Sequence, residues 1–462
     1  MTVLPTENHT VTNEPSDVPR KFGWLILSLA ILGFASTYWL WPVQNPEQAV
    51  VASILVAVII LWVTEVIPLY VSALVGSFLL LTIGNFSAPD VFHPYFDPVI
   101  VLFLGGFILA QGIQKYEIDL RIAHEILKRV GDRPLIFVLG LMLVTAFLSM
   151  WMSNTASAAI MIPISIIVLK ENRLFHRHSR FAKAAVLAVA YAATIGGIGS
   201  LVGSPPNAIA ARYLNQENID LSFVEWMFRA LPFVVLALFF TWLLLAIFNR
   251  PEIEKIHFDY RARKLDRPQK ILFIVFLVTV AGWLTTEYTG YSPSTVALIP
   301  VIGLFATGLL DSSDLSKISW PTLLLFGGGL SLGSAVSQVG IDSLVAGMVR
   351  DWIAGIPLFL TLLMLVFLGI GVTMVASNTA SAAILIPLML PLSDSLGIDM
   401  KAIAILIAIG VSLDFMMPVG TPPSAIAYST GVVNVREMIK NGFFVNIGTG
   451  LILVALYYFF YL

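Results

Sequence analysis

The chain has 462 residues, 58% hydrophobic and only 12% charged, with a mean hydropathy of +0.89 and no cysteine. Soluble domains carry about 25% charged residues, so a dissolved globular protein is excluded. So are a disulfide-stapled secreted module, a thiolate metal site and a cysteine nucleophile. The net charge of −2 says little, and the basic residues form no patch larger than a short loop, which speaks against a nucleic-acid partner.

In chain order, the first nineteen residues are polar and contain proline, without the basic start or cleavage site of a signal peptide. With the next two they read as a disordered cytoplasmic tail, 1–21. Long apolar runs follow, and such runs read as membrane helices. Eleven spans are expected, at about 22–41, 48–64, 67–84, 98–116, 184–202, 226–248, 270–287, 293–310, 322–338, 401–418 and 442–461. The first ends on Tyr38, Trp39 and Trp41, an interfacial aromatic belt.

Two more apolar stretches, 134–169 and 357–392, are too long for one crossing. About 36 residues of helix would reach ~54 Å, against a hydrocarbon core of ~30 Å. Each is interrupted by a polar triplet, Ser153-Asn154-Thr155 and Ser377-Asn378-Thr379. Polar non-helical backbone survives at membrane depth only inside protein or against water. Each stretch is therefore expected to be a re-entrant hairpin with the triplet at its tip.

Lysine and arginine set the orientation. With the N-terminus inside and both hairpins re-entrant, 22 of the 26 lie on or near cytoplasmic segments; only Arg212, Arg229, Arg350 and Lys401 do not. This selects a cytoplasmic N-terminus and an outer C-terminus. The basic loops are read as topology determinants rather than as binders of anionic membrane lipid. The absence of a presequence and the compact loops suggest a prokaryotic inner (cytoplasmic) membrane.

The chain then repeats itself. Ser153–Pro163 matches Ser377–Pro387 at ten of eleven positions, offset 224, and Gly203–Ala210 matches Gly420–Ala427 at six of eight, offset 217. Thr64-Glu65 recurs as Thr286-Glu287 and Gly105-Gly106 as Gly327-Gly328, both at offset 222. Four blocks in one order are an internal duplication. The expected organisation is a first helix (22–47), repeat one (48–249), a cytoplasmic linker (250–269) and repeat two (270–462). Five crossings per repeat is an odd number, so the second copy enters from the opposite face. Paired inverted repeats with discontinuous segments are the architecture of secondary transporters, with sites near the midplane at the repeat interface. The fold class expected is an all-α integral membrane protein, about eleven transmembrane helices plus two re-entrant hairpins in two inverted-topology repeats.

Each repeat carries a second break, Ser204-Pro205-Pro206 and Thr421-Pro422-Pro423. Tandem proline frees backbone carbonyls, and these with Ser, Thr and Asn oxygens suit Na⁺. Half-helix N-termini suit a carboxylate. Ser149 precedes Ser153 by four residues as Thr373 precedes Ser377, one helical face in each case. Ser157, Ser381, Gly105, Gly106, Gly327 and Gly328 are read instead as helix-packing residues.

The paired Ser-Asn-Thr motifs followed by Ser-Pro-Pro and Thr-Pro-Pro resemble the divalent anion/sodium symporters, over nearly the whole chain from about residue 48. That family carries di- and tricarboxylates and, in some members, sulfate. The resemblance implies a homodimer with an elevator motion, and two Na⁺ sites shared between a hairpin tip and a Pro-Pro break. By motif the first would use Ser149, Ser153, Asn154 and Gly203, and the second Thr373, Ala376, Asn378 and Gly420. The substrate carboxylates would meet Ser153, Asn154, Thr155, Ser204, Ser377, Asn378, Thr379 and Thr421. No Lys or Arg matches these motifs, so bound cations would balance the charge of a C4-dicarboxylate such as succinate, malate or fumarate.

The repeats differ where Asn207 is replaced by Ser424, a place expected to tune the second cation site or the substrate. Asp414 lies inside an apolar span, either as a functional carboxylate tuning cation or proton coupling or as a hydrogen-bonded structural residue near cytoplasmic water. Glu65 and Glu287, near span ends, are read as interfacial. A dicarboxylate exchanger of the same fold, and a sulfate or citrate transporter, remain open alternatives. An enzyme is not expected: all six histidines lie in tails, loops or by span ends, and no hydrolase motif is present. Paired inverted breaks argue for alternating access over a passive channel.

Overall fold

The computed structural model describes residues 20–41, 45–257, 266–418 and 420–461, with backbone alone at 20–23 and 128. Most of the expected tail and the centre of the basic linker lie outside the described residues. The fold is helical, with no strand among the described residues.

The first half runs α1 (Arg20–Leu40), α2 (Pro46–Thr64), α3 (Leu69–Thr82), α4 (Ala88–Phe92), α5 (Pro98–Lys115), α6 (Ile118–Val130), α7 (Pro134–Ser149), α8 (Asn154–Glu171), α9 (Arg180–Gly197), α10 (Pro205–Gln216) and α11 (Phe223–Phe248). The second half runs α12 (Arg267–Leu284), α13 (Thr286–Thr289), α14 (Pro293–Val296), α15 (Leu298–Ala306), α16 (Ser312–Leu315), α17 (Trp320–Gln338), α18 (Ile341–Ile353), α19 (Leu358–Thr373), α20 (Asn378–Met389), α21 (Leu392–Leu396), α22 (Met400–Gly410), α23 (Pro422–Ser429) and α24 (Val435–Phe460).

The starts of these helices are written locally. Asn45 accepts from the Gln48 amide with Pro46 at the first position, and Asp266 and Asn434 close capping boxes with Gln269 and Glu437. The element order of α5 to α11 recurs as α17 to α20 followed by α22 to α24.

Among the described residues, six helices are long and apolar enough to cross a membrane alone: Pro46–Thr64, Ala88–Lys115 (α4 and α5 counted together), Asn154–Glu171, Phe223–Phe248, Arg267–Leu284 and Val435–Phe460. Three other expected spans are shorter as helices because the chain unwinds inside them. The helix expected at 184–202 stops at Gly197, the one at 401–418 stops at Gly410, and 293–310 splits into α14 and α15. That last split has a simple cause, since Pro300 lacks the amide that would bond back to Val296.

Two elements differ from the sequence expectation. After α5 and α17 the chain does not enter a loop; it turns at a left-handed residue, Glu117 (φ 53) or Gly340 (φ 74), into an amphipathic helix, α6 or α18. The bend between α17 and α18 is 74°. Each hairpin is thus entered through a short amphipathic helix.

The arms of each hairpin pack on one another, α7 on α8 and α19 on α20. The first tip is anchored across the repeats: Trp151 stacks on Phe223 at 6.3 Å between ring centroids, and Phe223 on Trp283 at 5.1 Å. Gly105 is packed so closely on Ala297 that a side chain there would meet Ala297 Cβ at 2.7 Å.

Candidate functional site

Four helices begin at the polar tips and breaks: α8 at Asn154, α10 at Pro205, α20 at Asn378 and α23 at Pro422. They are interleaved across the repeats. α8 packs against α23, α10 packs against α20, and each break helix also packs on the unwinding helix of the other repeat, α23 on α9 and α10 on α22. Phe415, in the second break, meets Tyr191 of α9 edge to face at 5.3 Å. The four helix starts thus belong to one interleaved set.

The two tips are built alike. Ser153 caps α8 by accepting from the Ala156 amide at 3.2 Å, and Ser377 caps α20 from Ala380 at the same distance. Their φ and ψ are −63°/148° and −65°/150°. Capping uses a lone pair and leaves each hydroxyl proton free to donate. The first-turn amides of Asn154, Thr155, Asn378 and Thr379 have no intrahelical acceptor, as at any helix start. Donors and positive dipole ends together suit an anion. At the breaks, Ser204 is buried and makes no cap bond, while Thr421 donates to Ser424 Oγ at 3.0 Å.

Behind the first tip lies a cluster of oxygens. Ser149 Oγ is 2.7 Å from Asn154 Oδ1 and 2.6 Å from the Ala193 carbonyl. The same amide atom of Asn154 lies 3.1 Å from the Ala193 carbonyl and 3.3 Å from the Gly203 carbonyl. With the Asn154 oxygen turned inward, four oxygens share one hydroxyl proton. Two states satisfy them: the Asn154 amide turned so that the two hydrogens of its nitrogen are shared among the three acceptors, or the oxygen kept inward around a cation. Of the residues expected at this site, the structure brings Ser149, Asn154 and Gly203 into contact, while Ser153 sits beside them as the helix cap.

The second tip repeats part of this. Thr373 Oγ1 donates to Asn378 Oδ1 at 2.7 Å, the same pairing 224 residues on. Ala376 is buried in the tip. Gly420 meets a different partner from Gly203. A side chain at Gly203 would strike the Gly197 carbonyl at 2.5 Å, whereas one at Gly420 would strike the carboxylate of Asp414, with Cγ at 2.5 Å and Oδ1 at 2.8 Å. Asp414 is fully buried, the amides of Met416 and Met417 face its carboxylate, and neither oxygen closes a full hydrogen bond among the described residues.

Two residues of the first break were not picked out from sequence. Ser200 donates to the Met150 carbonyl and its Oγ accepts from the Gly203 amide at 3.2 Å, tying the break to the tip. Gly197 leaves room for Asn154, whose Cγ and Nδ2 would lie 3.0 and 3.1 Å from any Cβ there. Asn207 donates to the carbonyls of Gly197 at 2.8 Å and Ser200 at 2.7 Å. A cavity of about 460 Å³ opens beside this break, lined by Leu201, Asp97, Arg212, Thr286 and Glu287.

A family model described as the sodium:sulfate symporter transmembrane region matches residues 24–462. An uncharacterized transporter of Haemophilus influenzae is 34% identical, covering 89% of this chain and 91% of its own. The sodium-dependent dicarboxylate transporter SdcS of Staphylococcus saprophyticus is 31% identical over 97% of this chain and 93% of its own; SdcS of Staphylococcus aureus is 30% identical over 86% and 83%. In fold, the Alcanivorax borkumensis YdaH transporter aligns with a TM-score of 0.57 at 16% identity, covering 96% of this chain and 97% of its own. Neisseria gonorrhoeae MtrF aligns with 0.56 at 13% identity, covering 92% and 96%.

Proposed function

Since the chain belongs to the divalent anion/sodium symporter family, and is a membrane transporter and not an enzyme, we propose that it carries C4-dicarboxylates into the cell together with Na⁺. The carboxylates meet the hydroxyls of Ser153, Ser377, Thr155, Thr379, Ser204 and Thr421, with the side chains of Asn154 and Asn378. Na⁺ sits behind each tip, on Ser149, Ser153, Asn154 and Gly203 in one repeat and on Thr373, Ala376, Asn378 and Gly420 in the other.

The observation that carries this reading is the oxygen-rich cluster at Asn154, where the side-chain amide faces Ser149 Oγ and the carbonyls of Ala193 and Gly203. A hard monovalent cation satisfies such a set. Its charge also makes a dianion acceptable in a site whose expected residues include no Lys or Arg. A dianion crossing a low-dielectric barrier alone is costly; with cations bound the charges largely cancel first. Coupling then follows from electrostatics.

Three of the four hairpin arms support a re-entrant arrangement in two inverted repeats, while the fourth, α8, is itself long enough to cross. α7 and α19 have 16 residues each, and α20 has 12. At 1.5 Å per residue these span about 24 and 18 Å, short of a ~30 Å core. Transport by an elevator motion, a homodimeric assembly in a lipid bilayer and residence in the inner membrane complete the reading, carried from the family resemblance.

Proteoliposomes with an inward Na⁺ gradient should take up succinate steeply as external Na⁺ rises. Equal uptake in choline and in Na⁺ removes the symport reading, and uptake that requires internal succinate favours an exchanger.

A further inference from the structure

The two repeats place different chemistry at one equivalent position. Offset 217 maps Gly203 onto Gly420 and Gly197 onto Asp414. The structure supports that equivalence, since the same two positions touch in each repeat: Gly203 on Gly197, Gly420 on Asp414. In the first repeat the position bears no side chain, and the space above it is filled by the Asn154 amide. In the second it bears a carboxylate. The amides of Met416 and Met417 face it, but among the described residues no side chain or cation pairs with either oxygen, and the carboxylate has zero exposure.

The donors change in step. Asn207 supplies two N–H bonds to the carbonyls of the first break. Its counterpart Ser424 supplies none to the second; its hydroxyl accepts from Thr421. The second break thus loses a donor and gains a charge. Two more buried polar groups, on helices packed against this break, are unpaired among the described residues. Tyr191, whose ring meets Phe415 at 5.3 Å, has an unpaired hydroxyl among the described residues. Asn446 has neither amide atom paired, and it stands one turn beyond Gly442, where α24 presses on Phe415 and Met416. A buried carboxylate without a partner is costly, and this one adjoins a position expected to ligate a cation.

We propose that Asp414 is a ligand of the second cation, which makes that site anionic and lets it hold Na⁺ before any dicarboxylate arrives. The inference rests on the symport reading above. At the first site every ligand is neutral, so its Na⁺ gains most from the substrate's charge; at the second the protein supplies the counter-charge. The two sites therefore fill in order, Asp414 first.

The test is binding of ²²Na⁺ to the purified full-length protein in choline-balanced buffer, with and without succinate. Wild type should show a tight component without succinate and a weaker one that succinate tightens. Asp414→Asn should weaken the tight component at least about tenfold, Asp414→Glu should retain most of it, and Asn154→Ala should remove only the weaker one. An unchanged isotherm in Asp414→Asn overturns the inference and leaves the symport reading to the uptake assay. If Asp414→Asn does not fold, wild type alone decides: no Na⁺ bound without succinate refutes the order of filling even where uptake is Na⁺-dependent.

Discussion

The side-chain amide of Asn154 lies 3.3 Å from the carbonyl of Gly203, so the tip of one hairpin touches the break of another helix through a single polar side chain. The amide oxygen is the one side-chain carbonyl of the first cluster. Asn154→Ala should cut Na⁺-driven succinate uptake by about 100-fold or more while purified protein still elutes as a folded species. Asn378, held by Thr373 in the same way, should behave alike. Loss of uptake with retained folding is the expected pair of readouts; substantial uptake in either alanine variant contradicts the assignment.

Glycine at 203 is a matter of space. A Cβ there would sit 2.5 Å from the Gly197 carbonyl and 2.8 Å from that of Ser149, and backbone does not yield as a side chain does. Gly203→Ala should cost about 1–3 kcal/mol, as overpacking does, and should abolish Na⁺-stimulated uptake. Gly347, inside α18, is the contrasting case, because a Cβ there meets nothing within 4 Å. Gly347→Ala should raise thermal stability slightly, by up to about 1 kcal/mol. Melting curves of the two variants should move in opposite directions.

Much of this architecture is legible in the sequence, for a physical reason. The Ser-Asn-Thr triplets and Pro-Pro pairs are polar or helix-breaking in apolar surroundings, so both tips and both breaks appear where the motifs stand. The amphipathic helices α6 and α18 are not legible by hydropathy, since a window averages their polar and apolar faces to a loop-like value. Their 3.6-residue pattern, as in Ile118, Ile122 and Ile126, is the signal that would find them. Ser200 is invisible for another reason. Its partner Met150 is fifty residues away, and no local pattern encodes that meeting. Asp414 stood out only as a charge in an apolar run, and its contact with Gly420 emerged once the break was folded.

Lys115 at the end of α5 binds Asp314 of α16 at 2.5 Å, with Lys317 at 3.0 Å and the Asp311 amide at 3.1 Å. Burial alone would push the Asp314 carboxyl up, but these bonds outweigh it and bring the pKa down to about 2. A depressed carboxyl adds stability that is present above its ordinary value near 4 and lost as pH falls through about 2. Asp314→Asn should cost about 1–2 kcal/mol at pH 7, since water around the lysines screens part of the attraction. The melting-temperature gap between wild type and variant should narrow between about pH 4 and pH 2; a gap independent of pH would show that the ion pair is not its source.

The two halves should also respond unequally to trimming of the residue that follows their Pro-Pro pair. Asn207 pairs two buried carbonyls of the first break, so Asn207→Ala leaves both without a donor and should cost about 1–3 kcal/mol. The freed Gly197 carbonyl adjoins Gly203, so the Na⁺ concentration for half-maximal uptake should shift several-fold as well. Among the described residues Ser424 meets only Thr421 through its hydroxyl, and Ser424→Ala removes one buried contact between two hydroxyls, costing at most about 1 kcal/mol. Thermal denaturation alongside Na⁺ titration of uptake separates the cases. Equal losses in the two variants would mean that Asn207 does not hold the first break in shape.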